Sequence, residues 1–338
     1  MAAITEYIEI ILAGKDLTFD QAQTLLDTIF NGDIPEVQVA AFLTAMRAKG
    51  PVPTELAGLA SSLKAHAVKV NVDPDSVIDT CGTGGATVKT FNISTAAALV
   101  AAGARARVAK HGNRAITSNC GSADVLTALG VKVDAAPETI TNCINQANIG
   151  FMFAPMFHPA MKYVQPVRKG LGFRTVFNIL GPLANPAGAK AQVMGVAAEE
   201  LLDMIVETLK LLGTKRAMVV HSDGLDEIST FGITKIRQLT DGKITTLELN
   251  PADLGIAPAT LDQLKGSDAQ TNAKIVRDIL TGKETGQKKD IVILNAAAAI
   301  IVADLADDFT SAIKIADDAI NTGKAAEALE KLIKISNE

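Results

Sequence analysis

The sequence predicts a helix-rich α/β protein, a small all-helical domain followed by a larger α/β domain with a mainly parallel central sheet. Three observations carry this. The first seventy residues hold helix signals with no strand pattern between them, and from Val77 short β runs alternate with helical stretches. The 338 residues are 48% hydrophobic but only 4% aromatic, so the core is built from Ala, Leu, Ile and Val, which suits helices packed closely on a sheet.

Each element follows from local signals. Thr5 to Leu12 is an apolar run closed by Gly14, and Thr18 with Gln21 makes a capping box for a helix ending near Gly32. Pro35 opens a third helix, and Pro53 with Glu55 opens a fourth. Val77-Asp79, preceded by Ser76, reads as a buried strand, and Ala106-Ala109, Ile149-Ala154, Gln192-Val196 and Ala217-His221 continue the set. Between them Ile93 to Ala102 (stopped by Gly103), Ser122 to Leu129, Pro137 to Ala147 and Ala198 to Leu212 read as helices. His158 to Gly170 interrupts the alternation with a helical segment, Arg174 to Leu180 follows, and Gly181 to Pro186 is a turn-rich exit. These pieces can rejoin the N-terminal helices. The expected division is a helical domain of residues 1–72 plus about 160–185, and an α/β domain of 73–159 plus about 186–338. Lys235-Leu239 and Ile244-Leu249 flank Asp241-Gly242 as a hairpin, and Ala269 to Ile335 reads as helical.

Ligands of a parallel sheet bind at the carboxyl ends of its strands, and three clusters fall there. The first is Gly82-Thr83-Gly84-Gly85, with Asn92, Ser94 and Thr95 at the next helix start. Glycines let a backbone approach a ligand closely, and the free N–H groups of a helix start attract anions. The spacing is neither the dinucleotide fingerprint nor a P-loop. Asn92, Ser94 and Thr95 can cap the helix or bind phosphate. The second cluster, Lys110-His111-Gly112-Asn113-Arg114-Ala115, offers a point charge and a directional amide to an anion; a solvated basic turn is the alternative. Farther on, Ser118, Gly121 and Ser122 form a small-residue turn, with Ser122 as a natural N-cap. The third runs from His221 to Glu227, where Asp226 and Glu227 suit Mg²⁺ beside phosphates unless they are an acidic surface turn. Arg168 either grips a carboxylate or snorkels at the surface. Anion cradle, cation and magnesium together are the equipment for a phosphorylated sugar.

Composition excludes other classes. A net charge of −5 argues against nucleic acid and anionic membranes, leaving small molecules or protein as partners. Cys81, Cys120 and Cys143 form no CxxC pair and no metal spacing with the four histidines, so reduced thiols and a cytoplasmic location are expected. The first apolar run carries Glu6 and Glu9 and lacks signal-peptide character, and Ile291 to Ala303 is too short to span a membrane.

Five motifs stand in order: GTGG running into TFNIST, KHGNRA with GSAD after it, HPAMK, PVRKGLGFRTVFNILGPLANP, and DGLDE. Together they resemble the anthranilate phosphoribosyltransferase family over nearly the whole chain. The resemblance implies transfer of the phosphoribosyl group of phosphoribosyl pyrophosphate to the amine of anthranilate, with release of pyrophosphate, in tryptophan biosynthesis. It implies Mg²⁺ as cofactor, the nucleoside phosphorylase/phosphoribosyltransferase fold class with a helical N-terminal domain, hinges between the domains, and a homodimer formed through the helical domains. Carried over by the resemblance, Gly82, Gly85 and Thr90 lie at the pyrophosphate and ribose end, and Asn92, Ser94, Thr95 and Lys110 hold phosphate groups. Ser118 and Ser122 join the substrate-binding set. Ser94, Asp226 and Glu227 ligate Mg²⁺, while Asn113 and Arg168 hold anthranilate, Arg168 through its carboxylate. No general base is assigned, and His111 is a candidate by location alone.

One departure stands out. The family's commonest loop continues GTGGD and then Gly, whereas this chain has Ala86 and Thr87. An acidic group beside the pyrophosphate is missing, and Lys89 is expected to contact the pyrophosphate directly. Two rival readings are a pyrimidine nucleoside phosphorylase and a non-catalytic nucleic-acid-binding relative of the same fold.

Overall fold

The computed structural model describes residues 2–115 and 120–338. The chain begins with helices α1 (Ala2–Leu12), α2 (Phe19–Phe30), α3 (Glu36–Lys49) and α4 (Pro53–Ala65). The capping box at α2 is formed: Gln21 N–H donates to Thr18 Oγ1 at 3.2 Å, and Thr18 N–H donates to Gln21 Oε1 at 2.9 Å. Helices α2 and α4 pack at Gly58, where a Cβ would meet the Phe19 carbonyl and lie 2.9 Å from the Ala22 Cβ. Ala is a better helix former than Gly by about 1 kcal/mol, yet overpacking costs about 1–3 kcal/mol. Gly58→Ala is therefore expected to lower the melting temperature; a rise would contradict this packing.

The α/β part follows as β1 (Ile78–Gly82), α5 (Ile93–Gly103), β2 (Val108–Gly112), α6 (Ser122–Leu129), α7 (Pro137–Ala147) and β3 (Ile149–Phe153). A helical excursion comes next: α8 (Ala154–Phe157), a 3₁₀ turn over Pro159–Tyr163, α9 (Gln165–Leu171) and α10 (Phe177–Leu180). The expected continuous helix over 158–170 is thus split at Val164, because Pro166 is accommodated only in the first turn of α9. Then come β4 (Ala191–Gly195), α11 (Leu201–Leu211), β5 (Arg216–His221), β6 (Thr234–Thr240) and β7 (Lys243–Leu249). Helices α12 (Leu261–Leu264), α13 (Ala269–Leu280), α14 (Gln287–Val302), α15 (Phe309–Asn321) and α16 (Lys324–Ser336) complete the chain.

The seven strands form one sheet in the order β3-β2-β1-β4-β5-β6-β7. The first five are parallel, and β6 and β7 add an antiparallel hairpin at one edge. Strand order reverses between β1 and β4, so the crevice beyond their carboxyl ends is the natural ligand position. Strands β1 and β2 run on to Gly82 and Gly112, past the expected ends at Asp79 and Ala109. Their ladders explain the extension: Thr80, Cys81 and Gly82 pair with Val193, Met194 and Gly195, and Lys110, His111 and Gly112 pair with Phe151, Met152 and Phe153.

Alternation along β5 divides the core. Met218 and Val220 join the cluster built by α5, α13, α14, α15 and α16, whereas Ala217 and Val219 join the α11 cluster. That second cluster continues without a break into Leu25 and Leu56 of the N-terminal helices and into Val164, Val167, Phe177 and Leu180 of the excursion. The excursion therefore packs on the N-terminal helices, and it walls the crevice from the side opposite the sheet.

Candidate active site

A cleft of about 930 Å³ opens at the strand carboxyl ends between β1 and β4, lined by the sheet loops on one side and by α9 and its neighbours on the other. Its floor is the glycine loop. Thr83 N–H donates to the Gly195 carbonyl at 2.9 Å, which continues the β1–β4 ladder into the turn. Gly84 and Gly85 have φ of +68° and +83°, a backbone that side-chain-bearing residues rarely adopt. Gly82 and Gly195 are required for a different reason: a Cβ on either would collide with Asp226. Thr87 N–H donates to the Gly224 carbonyl at 3.1 Å, which tethers the glycine loop to the β5 loop.

Asp226 and Glu227 both turn toward this loop and the helix that follows. Gly84 N–H donates to Asp226 Oδ2 at 3.1 Å, and Ser94 N–H donates to Glu227 Oε1 at 3.2 Å. The Glu227 carboxylate thus sits where an anion would at the start of α5. Burial, and then the charge of Asp226, push the Glu227 carboxyl up to about 8. Burial likewise raises Asp226, against the opposing pull of the Gly84 N–H and the Lys89 charge. These hydrogen bonds into the glycine loop and the α5 start set the half-buried pair apart from an acidic surface turn. Two raised carboxyls, opposed by backbone N–H groups at Asp226 and by the Lys110 charge at Glu227, make a pair that a divalent cation would relieve. Among the described residues no group of three or more His, Cys, Asp or Glu converges. Two carboxylates with the Ser94 hydroxyl fit Mg²⁺, which keeps several waters and shares phosphate oxygens, better than a metal needing a full protein cage.

The second cluster differs from its sequence reading. Lys110 lies inside β2, is 2% exposed, and donates to the Thr80 carbonyl, with Thr80 Oγ1 at 3.4 Å and Ser94 Oγ at 3.5 Å. It is not part of a solvated basic turn; it enters the cleft from below, beside Ser94. Burial lowers its pKa while Asp79 raises it. Asp79 is itself fully buried and accepts from Asn185 Nδ2 at 2.8 Å and from His111 N–H at 3.3 Å. His111 is buried against His158, ring centroids 5.0 Å apart, and burial drives its pKa down to about 3. A ring held neutral so firmly is a weak proton acceptor, so no general base emerges from the geometry.

The remaining expected residues are distributed as follows. Asn92 precedes α5 without capping it. Its Nδ2 donates to the Cys120 carbonyl at 3.1 Å, and its Oδ1 accepts from Asn272 Nδ2 at 3.0 Å. Thr95 is 1% exposed with no hydrogen-bond partner for its hydroxyl among the described residues, and Thr90 lines the cleft. Ser122 is the first residue of α6 and Gly121 holds the cap position, so the expected Ser122 cap is corrected. Asp124 accepts from Gly121 N–H at 2.9 Å instead, and Ser122 Oγ donates to the Asn113 carbonyl at 3.3 Å. Asn113 is exposed at the cleft wall, and Ser118 lies outside the described residues. Arg168 projects from α9 with its guanidinium 5.5 Å from the centroid of the Phe177 ring, and burial lowers its pKa. It has no carboxylate partner among the described residues, only Gln165 Oε1 at 3.5 Å. Lys89 Nζ donates to the Ala86 carbonyl at 3.2 Å. Sequence reasoning placed Asp79 in the strand before the glycine loop without giving it a role, and it missed Asn185, His158, Arg174 and Asn272, which meet the site from distant parts of the chain.

Known proteins resemble this chain in sequence and fold. The description "Glycosyl transferase family, a/b domain" matches residues 74–326, and "Glycosyl transferase family, helical bundle domain" matches residues 5–67. An anthranilate phosphoribosyltransferase of Methanocorpusculum labreanum is 48% identical over 98% of both chains, and one of Desulfatibacillum aliphaticivorans is 46% identical over 99% of both. The chain belongs to the anthranilate phosphoribosyltransferase family. A crystal structure of the Thermus thermophilus family member superposes with a TM-score of 0.91 at 38% identity, covering 98% of this chain and 99% of that one. The Saccharomyces cerevisiae family member, solved in complex with PRPP and Mg, superposes at 0.89 with 28% identity, covering 99% and 98%. Neither rival reading is favoured by these relatives. Among the described residues no helix is long and apolar enough to cross a membrane.

Proposed function

We propose that this cleft binds phosphoribosyl pyrophosphate and anthranilate and transfers the phosphoribosyl group to the anthranilate amine, releasing pyrophosphate, as a step of tryptophan biosynthesis. The single observation that carries the reading is the joining of the glycine loop, the start of α5 and the Asp226–Glu227 pair at the β1–β4 switch point. In the family, this is the expected place for a sugar diphosphate.

Ser94, Asp226 and Glu227 would hold Mg²⁺, which when bound spreads the negative charge of the departing pyrophosphate. The chain's own groups act around it. The amides of the glycine loop and of the α5 start are placed to donate to phosphate oxygens. Gly82, Gly85, Thr90, Asn92, Thr95 and Lys110 complete the sugar-diphosphate contacts, and the family reading adds Ser118 and Ser122 to the substrate-binding set. Lys89 holds the loop through the Ala86 carbonyl and keeps further donors for the pyrophosphate. Asn113 and Arg168 hold anthranilate, and the amine is presented to the anomeric carbon by positioning rather than by a base.

The domain division is 1–72 plus about 160–185 against 73–159 plus about 186–338, supported by the shared core of the N-terminal helices with Val164, Val167 and Phe177. Dimerisation through the helical domain follows from the family reading, and the exposed Leu12 and Val37 of α1 and α3 support it. A cytoplasmic location is in keeping with three free cysteines.

Arg168→Lys tests the anthranilate half of the site. A lysine keeps the charge but loses the two-pronged geometry. The expected result is a KM for anthranilate raised by about 10–100-fold, the loss of one to two charge-assisted hydrogen bonds, with the KM for phosphoribosyl pyrophosphate unchanged. Equal effects on both substrates would reject the assignment.

A further inference from the structure

Arg174 lies in the segment between α9 and α10, on the wall of the cleft that faces the glycine loop. Its backbone is held firmly: the Arg174 carbonyl accepts from Arg47 Nη1, whose guanidinium stacks 5.2 Å from the centroid of the Phe173 ring, and Thr175 N–H donates to Asn178 Oδ1 at 2.9 Å. The side chain crosses the cleft. Its guanidinium lies against Gly85, in the space a Cβ there would occupy, and the three atoms nearest that position are Arg174 Nη2, Cζ and Nη1. Gly85 therefore does two jobs: it adopts φ +83°, and it leaves room for a guanidinium on the loop.

The guanidinium makes no hydrogen bond or ion pair among the described residues, although five N–H donors converge there on a loop built to present amides to an anion. The loop's own cation, Lys89, spends a donor on the Ala86 carbonyl. Arg168, on the same wall, is backed by Phe177 and Gln165. The Arg168 and Arg174 guanidinium groups thus reach the cleft from the helical side, neither with a carboxylate partner among the described residues. One is placed for the acceptor and the other for the glycine loop.

We propose that Arg174 is a pyrophosphate-binding residue, delivered across the cleft from the helical side so that its fork closes on the diphosphate held by the Gly84–Gly85 amides. The inference rests on the function proposed above and deepens it. A contact that joins both walls through the leaving group ties cleft closure to the presence of the diphosphate, and Arg174 does so from a segment that belongs to neither the loop nor the metal pair. In this chain, which has Ala86 on the loop, no loop carboxylate competes for that guanidinium.

The test uses the full-length protein and direct calorimetric binding of pyrophosphate in the presence of Mg²⁺, with ribose 5-phosphate as the comparison ligand. Arg174→Ala is expected to weaken pyrophosphate binding at least tenfold and ribose 5-phosphate binding less than twofold, with Arg174→Lys in between and the melting temperature unchanged in both. In turnover the same variants raise the KM for phosphoribosyl pyrophosphate but not for anthranilate. Pyrophosphate affinity within twofold of wild type in Arg174→Ala, with an active wild type, overturns this inference alone. A wild-type protein that neither binds pyrophosphate nor consumes anthranilate overturns the function and the inference together. If Arg174→Ala unfolds, Arg174→Lys decides: wild-type pyrophosphate affinity rejects the proposal, because a lysine cannot reproduce the fork.

Discussion

Glu227→Gln lowers kcat by about a thousandfold, the several kcal/mol that a metal-held charge contributes to a departing phosphate, while the fold survives. The substitution is chosen because Gln keeps an oxygen for Ser94 N–H, the contact Glu227 makes at 3.2 Å, so the start of α5 remains capped. What it removes is the charge beside Asp226. Burial first and the Asp226 charge second push the Glu227 carboxyl up to about 8, and a cation beside the pair favours its ionised form. The Mg²⁺ concentration for half-maximal rate therefore rises in the variant as well. A kcat within threefold of wild type, with the same Mg²⁺ dependence, would remove Glu227 from the metal site.

The second large effect is on stability. Glu55 is fully buried near the start of α4, and its carboxylate gathers three donors: Leu17 N–H at 2.9 Å, Val52 N–H at 3.0 Å and Lys49 Nζ at 2.9 Å. It accepts from the N-cap N–H of α4 and also ties the chain before α2 to that helix. Lys49 is 8% exposed, and its other partner, Asp16 at 2.6 Å, is well exposed. Glu55→Ala leaves the buried Leu17 amide and the partly buried Val52 amide without their acceptor and takes from the nearly buried Lys49 ammonium its buried carboxylate partner. Removing one partner of such a buried pair costs about 3–5 kcal/mol. Chemical denaturation is expected to show a loss of that size, with kcat of the folded fraction unchanged; a loss below 1 kcal/mol would mean that water replaces the carboxylate.

The contrast between these two carboxylates shows what a sequence can display. Glu55 is visible as a capping residue because its partner, Val52 N–H, is three positions away; its second task, at Leu17, is 38 positions away and leaves no local trace. The glycine loop, the α5 start and the Asp226–Glu227 pair are legible for the same reason. Each is a compact cluster whose chemistry is complete over a few residues. Lys110 was readable as a cation at a strand end, but its burial was not, because the extension of β2 past Ala109 depends on pairing with β3. Asp79 and Asn185 meet from 106 positions apart, and Arg174 reaches Gly85 only because the excursion after β3 packs back on α2, α3 and α4. Tertiary contact, not local propensity, sets these positions. The expected Ser122 cap failed by one position, since Asp124 bonds Gly121 N–H and makes glycine sufficient at the cap.

Ala86 now has a physical setting. It is buried, and the Lys89 ammonium rests on its carbonyl, so the loop is braced from within by a cation rather than presenting a carboxylate. Together with an unpaired Arg174 guanidinium, the loop carries more positive charge toward the cleft than its glycines alone provide. This is consistent with a leaving group of high negative charge.

The most direct measurement of the account is the fluorescence of anthranilate mixed with the protein, phosphoribosyl pyrophosphate and Mg²⁺. Fluorescence is expected to fall until the limiting substrate is consumed, with one pyrophosphate released per anthranilate lost and no change when Mg²⁺ is chelated. Constant fluorescence under these conditions, with thymidine or uridine consumed in the presence of phosphate, would contradict it.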